Sequence, residues 1–349
     1  MKKLLLGTTA LVLLSGAAAA QQVTTSSPFT VTLGGSVRSD FSFFDEDVSN
    51  VNREQRLDTR LTLGAEAKAD NGLVYGFNGR IRTSGDGGNG MIMDYKYLYA
   101  KGAWGAVNLG DYQGAATQLE VVAPTVGIGQ ADYAAFTGAG FASLFWATED
   151  QADTRITYIT PSFSGFQAGL SYTPEKGDSG RGIQKTGARY RDIAEVAAQY
   201  SGEFGGVGVT VGGGFELGGE STSALGDYQV WNLGAQVSYA GFSFGGNYYD
   251  NGETGLGQGA DQYGWALGLT YATGPFGVGA SYVRTTTDLA GSSKVDDQIW
   301  GVGGAYKLAP GLSLQADVNY INSDDADTDT AGNQDNKAWQ LVLRTRVDF

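Results

Sequence analysis

From Phe29 onward the chain places an apolar side chain at every second position, and no other feature restricts its fold so strongly. Phe29, Val31, Leu33, Val37, Phe41 and Phe43 alternate with Thr30, Thr32, Ser36, Arg38, Asp40 and Ser42. A period of two belongs to an extended strand with one apolar and one polar face. The pattern returns in Leu57-Thr59-Leu61-Leu63-Ala65, Leu73-Tyr75-Phe77, Phe166-Ala168-Leu170-Tyr172 and Val207-Val209-Val211-Gly213-Phe215. It continues through runs starting at Trp231, Phe242, Tyr263, Phe276, Trp300, Leu312 and Trp339. With weaker runs near Tyr95 to Lys101, Ala106 to Asp111, Arg155 to Thr160 and Ala194 to Tyr200, the total is about 16 strands. Connections alternate as well: tight turns such as Tyr239-Ala240-Gly241-Phe242 take turns with long polar segments around 174 to 190, 250 to 261, 285 to 296 and 322 to 337. Turns on one rim and loops on the other predict an all-β, antiparallel, up-and-down transmembrane β-barrel. A β-sandwich has no reason to segregate its loops in this way.

Aromatic residues supply a check on length. Trp339 to Phe349 lie on one strand face, and about 3.3 Å per residue with about 40° of tilt converts that run to roughly 25 Å, the height of a barrel's apolar band. Trp231 to Tyr239 and Tyr263 to Tyr271 convert to roughly 20 Å. Aromatic rings at both ends of an outward row read as interfacial girdles.

Residues 1–20 combine Met1-Lys2-Lys3, an apolar run from Leu4 to Leu14, and Ala17 to Ala20 before Gln21. This is the pattern of a cleaved export signal and is set aside from the fold, leaving 21–349 as the barrel domain. The chain carries a formal charge of -14, and loss of the two lysines takes it to about -16. Such acidity argues against a nucleic-acid partner. His 0 and Cys 0 exclude a Ser-His-Asp triad, imidazole or thiolate metal sites and disulfides, so a barrel hydrolase lacks its usual base.

Thr154-Arg155-Ile156-Thr157-Tyr158-Ile159-Thr160-Pro161-Ser162-Phe163-Ser164-Gly165-Phe166, continuing to Tyr172, resembles the sixth and seventh strands of general Gram-negative porins. Gly102-Ala103-Trp104-Gly105-Ala106-Val107-Asn108-Leu109-Gly110-Asp111 is similar to the turn and strand before that family's third loop, and the terminal Phe349 is similar too. The resemblance implies a 16-stranded, trimeric, water-filled diffusion channel whose long third loop folds into the lumen, set in outer-membrane lipid and lipopolysaccharide. Two departures stand out: Asp111 occupies a position often basic in the family, and the loop lacks the Pro-Glu-Phe-Gly-Gly run. The family's constriction residues are therefore not carried across this loop. Residues 112–153 form the longest gap between strands, and loops of that size are usually functional. Within them, Ala115 to Val122 suit a short helix lying against the barrel wall.

If the apolar parity faces lipid, the other parity lines the pore. It carries Arg38, Arg56, Arg60, Arg80 and Arg82 in the early strands and Arg344 and Arg346 in the last. Closure sets the last strand beside the first, so the seven form one basic wall. Arg38, Arg60 and Arg80 sit near mid-strand, with Arg56 and Arg82 nearer the outer mouth. Across from them the third loop offers Glu120, Asp132, Glu149 and Asp150. A transverse field between the two would filter small hydrophilic solutes and ions by charge as well as size. Pairing of the arginines with Asp40, Asp58 or Glu66 as wall scaffolding is the alternative. A substrate-specific channel would need aromatic rings along the lumen, but most rings here have outward parity, and Tyr95, Tyr97 and Tyr99 suit lipid or a neighbouring subunit. A non-conducting structural or adhesive barrel is the remaining rival.

Two motifs carry less. Gly255-Leu256-Gly257-Gln258-Gly259-Ala260 matches G-x-G-x-x-A, yet it lies in a polar loop, follows no parallel strand and opens no helix. Asp325, Asp327 and Asp329 have calcium-loop spacing, but Thr330 replaces the turn glycine and no Glu closes the loop. A weakly bound calcium is the most these residues suggest, and no other cofactor is expected.

Overall fold

The computed structural model describes residues 21–24, 28–47, 52–83, 90–129, 152–177, 190–220, 225–291, 294–325 and 335–349. The strands are β1 (Gln21–Thr24), β2 (Thr30–Glu46), β3 (Arg53–Lys68), β4 (Val74–Thr83), β5 (Met91–Gly102), β6 (Gly105–Asp111), β7 (Thr154–Ile159), β8 (Phe166–Glu175) and β9 (Tyr190–Phe204). They continue as β10 (Val207–Glu220), β11 (Tyr228–Tyr239), β12 (Phe242–Gly252), β13 (Asp261–Thr273), β14 (Phe276–Asp288), β15 (Lys294–Ala309), β16 (Leu312–Asp325) and β17 (Asn336–Asp348). One short helix, α1 (Ala115–Gln118), follows β6.

From β2 onward each strand pairs antiparallel with the next, and β17 returns to β2 with Leu343 opposite Phe41 and Arg346 opposite Arg38. The result is a closed 16-strand barrel. Closure leaves every barrel strand with two neighbours and so removes the free edges that an open sheet would expose. The short β1 adds onto β2, Val23 opposite Val31.

The turns on one rim follow from local chemistry. Ala240 and Gly241 have φ of 49° and 87°, and Gly205 and Gly206 have 59° and 87°. Positive φ at both central residues gives the two-residue hairpin whose twist matches the strands it joins. On the opposite rim the strands are joined by the segments 47–52, 84–90, 112–153, 176–189, 221–227, 253–260, 289–293 and 326–335, most of them longer than the turns.

Outward side chains are apolar and exposed, among them Leu57, Leu98, Val302 and Leu233. Rings gather in two belts: Trp265, Tyr282, Trp300, Tyr320 and Trp339 touch in succession at centroid distances of 4.9 to 5.7 Å, while Phe242–Tyr271 and Phe276–Tyr306 lie by the turns. Such a surface is stable only against hydrocarbon, which makes this a membrane-spanning, multi-pass barrel. The export signal read in residues 1–20 lies outside the described residues.

Candidate functional site: the lumen wall and the third long loop

The inner face is uneven, and the third long loop accounts for much of the unevenness. The Ala115 N–H donates to Ser171 Oγ of β8 at 2.7 Å and the Ala116 N–H to Glu195 of β9 at 3.2 Å. Glu195 is in turn held by Arg155 at 2.7 Å, both side chains being buried. Gln199 and Gln236 donate to the carbonyls of Leu119 and Val122, and the Ala123 N–H donates to Asn247 Oδ1. The first two bonds satisfy N–H groups that the start of a helix leaves free, whereas the Leu119 carbonyl and the Ala123 N–H, which a longer helix would join, are bound to strand side chains instead; α1 is a single turn ending at Gln118 rather than the helix to Val122 that the sequence suggests.

Glycines make the seat for this segment. A Cβ on Gly214 would lie 2.8 Å from that of Ala116, and one on Gly212 would lie 2.6 Å from the Leu119 carbonyl oxygen. Gly234 and Gly268 face the carbonyls of Val121 and Pro124 as closely. Gly127 then reaches Ala305 and Gln315. Residues 115–127 thus run along the inward side of β8 to β16. There Ala123 joins Ala266, Val283, Ile299 and Ile321, with Ala338 of the adjoining β17, in a buried cluster. Inward positions on these strands are therefore mixed: this apolar cluster stands beside buried polar groups such as Glu195, Gln236 and Asn247 that hold the segment, contrary to a lumen that is polar all round. Each large aliphatic side chain so buried contributes about 1.5–3 kcal/mol.

The arginines lie on the remaining arc. Rows of facing residues run Arg344–Asp40–Arg56, Arg346–Arg38–Asp58, Ser36–Arg60–Arg82 and Thr62–Arg80–Tyr95, so all seven occupy the contiguous strands β17, β2, β3 and β4. Arg60 and Arg82 face each other at one height, and Arg80 is one row farther from the loop rim. Their environments differ sharply. Arg344 is buried in a two-bond pair with Asp40 at 2.6 and 2.8 Å and presents almost nothing to water. Arg38 binds Asp58 at 2.6 Å, and Arg346 binds Asp348 at 2.8 Å. Arg80 grips Asp94 through two bonds at 2.9 and 2.5 Å and lies 3.6 Å over the Tyr95 ring, while Arg82 shares the same carboxylate at 2.6 Å. Among the described residues, Arg60 makes no ion pair, and Arg56 is half-buried without one. Asp94 has no counterpart in the sequence reading because it is the extra residue of a bulge between Arg80 and Ile81. Glu66 serves Lys101 and Tyr99 instead of an arginine.

Of the acidic residues expected on the loop, Glu120 is half-buried just beyond α1, and Asp132, Glu149 and Asp150 lie outside the described residues. So do Asp327 and Asp329 and the side chain of Asp325. The described residues contain no group of three metal-ligating side chains. Asp111 shares the parity of Leu98, Leu109 and Ile156, pairs with Lys96 and accepts from Thr154 Oγ1, so the acid at this position is not on the pore wall.

One expectation is reversed. Tyr95, Tyr97 and Tyr99 stand opposite Arg80, Asn78 and Gly76, the inward set of β4, while Leu98 is the outward, exposed neighbour. The three tyrosines face the lumen, not lipid or another subunit.

Comparison with known proteins agrees with this architecture. The OmpT loop-deletion mutant of Vibrio cholerae superposes with a TM-score of 0.66 at 16% identity, covering 93% of this chain and 100% of that one. A mutant of Rh. blastica porin gives 0.61 at 18% identity, covering 91% and 100%. An uncharacterised protein of Rickettsia conorii is 22% identical over 373 residues, 83% of this chain and 84% of its own. The Gram-negative porin family profile matches residues 7–326. With the closed barrel and its outward aromatic belts, that match places this chain in the Gram-negative porin family.

Proposed function

We propose that the protein is a water-filled passive diffusion channel for small hydrophilic solutes and ions, filtered by size and charge, without cofactor or enzymatic chemistry. The observation that carries this reading is the one-sided lumen. The loop segment 115–127 lines β8 to β16, and the arginines stand on β17 to β4, the arc left beside it. A third loop folded inward from this segment narrows the barrel opposite a basic wall, and the field across the gap orders water and ions. Solutes that keep their hydration pass, whereas apolar ones lose it without replacement. The resemblance to general porins adds a homotrimer in lipid and lipopolysaccharide, delivered after removal of residues 1–20.

Purified protein in a planar bilayer should give stable ohmic steps, grouped in threes if the trimer holds. Liposome swelling should fall with increasing solute size. A folded barrel that inserts without conducting would refute the channel and leave a structural or adhesive role.

A further inference from the structure

Beside the arginine wall lies a patch of different chemistry. Tyr95, Tyr97 and Tyr99 descend β5 toward the turn rim, and Tyr112 closes against them. Tyr97 stacks on Tyr112 at 4.2 Å and 24°, Tyr95 meets Tyr112 edge-on at 5.1 Å, and Tyr97 lies 6.3 Å from Tyr99. Two residues of rise separate successive rings, so the ladder covers about 13 Å of wall. Its lower end opens on a concavity of about 510 Å³ bordered by Tyr97, Tyr99, Asn78, Asn108 and Thr32, a size within the range of small-molecule sites.

The floor of that concavity leaves room for a ring. A Cβ on Gly76 would lie 2.8 Å from Tyr99 Oη and 2.9 Å from Cζ, so the phenol lies across bare backbone. Tyr99 Oη donates to Glu66 Oε2 at 2.9 Å, which pins its edge. Held there, the phenol borders the concavity. Lys101 donates to the same carboxylate at 2.8 Å and lies over the Tyr99 ring, 5.1 Å from its centroid, so the charges at the ring cancel, and this exposed side chain must swing aside for a solute to reach the ring face.

We propose that this patch is a carbohydrate-binding subsite on the channel wall, taking a neutral pyranose unit of a sugar in transit. The C–H face of a pyranose packs on an aromatic face, and its hydroxyls need amides, hydroxyls and carboxylates around the rim, the groups supplied by Asn78, Asn108, Thr32 and Glu66. An anion would find the net-neutral Glu66–Lys101 pair indifferent and would go to the arginines. An apolar solute would leave the bordering polar groups without partners. The inference rests on the diffusion-channel reading, because it needs a lumen open to water. It extends that reading from a sieve to a channel that holds one class of solute on the way through.

The test uses the full-length protein in a planar bilayer with maltotriose, and polyethylene glycol of equal hydrodynamic radius as the control. Maltotriose should lower single-channel conductance along a saturating curve, whereas the polymer lowers it linearly. Tyr99→Ala should raise the half-saturating concentration about tenfold, the scale of a lost ring contact, and Tyr99→Phe by no more than about twofold. Asn108→Ala, which leaves every ring in place, should raise it about threefold. Linear, equal effects of sugar and polymer in all variants would overturn the subsite while leaving the channel intact. If the protein does not conduct, the channel reading fails, and calorimetric titration of the detergent-solubilised barrel decides the subsite. Saturable heat that Tyr99→Ala abolishes supports it, and no heat overturns it.

Discussion

Arg60 is the residue through which the basic wall should act most directly on permeating ions. It is half-buried, makes no ion pair among the described residues, and stands opposite Arg82 in the row next to the Arg38–Asp58 pair. Replacing it by Gln removes one positive charge from the wall without leaving a carboxylate that had been bound to it. For an ion passing at about 5 Å, that charge is worth about 0.8 kcal/mol in water and about 0.45 kcal/mol after screening at 0.15 M salt. The sign is opposite for the two ions: the cation gains and the anion loses. Each changes about twofold, so the cation-to-anion permeability ratio should rise about four- to fivefold. At 1 M salt the Debye length shrinks to about 3 Å and the same substitution should change the ratio by less than about twofold. Reversal potentials across a salt gradient, recorded for wild type and Arg60→Gln at both ionic strengths, measure this directly. An unchanged potential at low salt, or a shift that survives at 1 M undiminished, would refute the assignment of Arg60 to the ion path.

Two other substitutions separate wall structure from wall function. Arg344→Met should destabilise the barrel by about 3–5 kcal/mol, because Asp40 is left buried without its two-bond partner, whereas the pair Arg344→Met and Asp40→Leu should recover most of the loss; equal denaturant midpoints for single and double variants would contradict this. Gly234→Val should push the loop segment off its seat at the Val121 carbonyl and lower single-channel conductance in a barrel that still shows the folded mobility on unheated gels. Wild-type conductance in that variant would mean that residues 115–127 do not set the width of the path.

What the sequence determined by itself is the part of the structure written in nearest neighbours. Period two marks all sixteen barrel strands, the Ala240–Gly241 pair marks a hairpin, and closure of the last strand on the first follows from there being no other partner for either edge. The arginines of β2, β3, β4 and β17 are legible as one wall for the same reason, since alternation and strand order are enough to place them.

Tertiary structure decided the rest. On β5 the outward set is Lys96, Leu98 and Ala100 and the inward set is tyrosine, so neither face is plainly apolar and alternation alone chooses the wrong one. Only the register with β4, including the bulge at Asp94, fixes which way the rings turn. The path of residues 115–127 depends on glycines 212, 214, 234 and 268 and on Glu195, Gln236 and Asn247, groups 79 to 124 residues away for the hydrogen bonds to Glu195, Gln236 and Asn247. Their inward alignment exists only once the strands are side by side. Which arginines are spent on Asp40, Asp58 and Asp94, and that Arg60 is not, depends equally on cross-strand distances. A charge's sign is local, but whether it is neutralised is a property of the closed barrel.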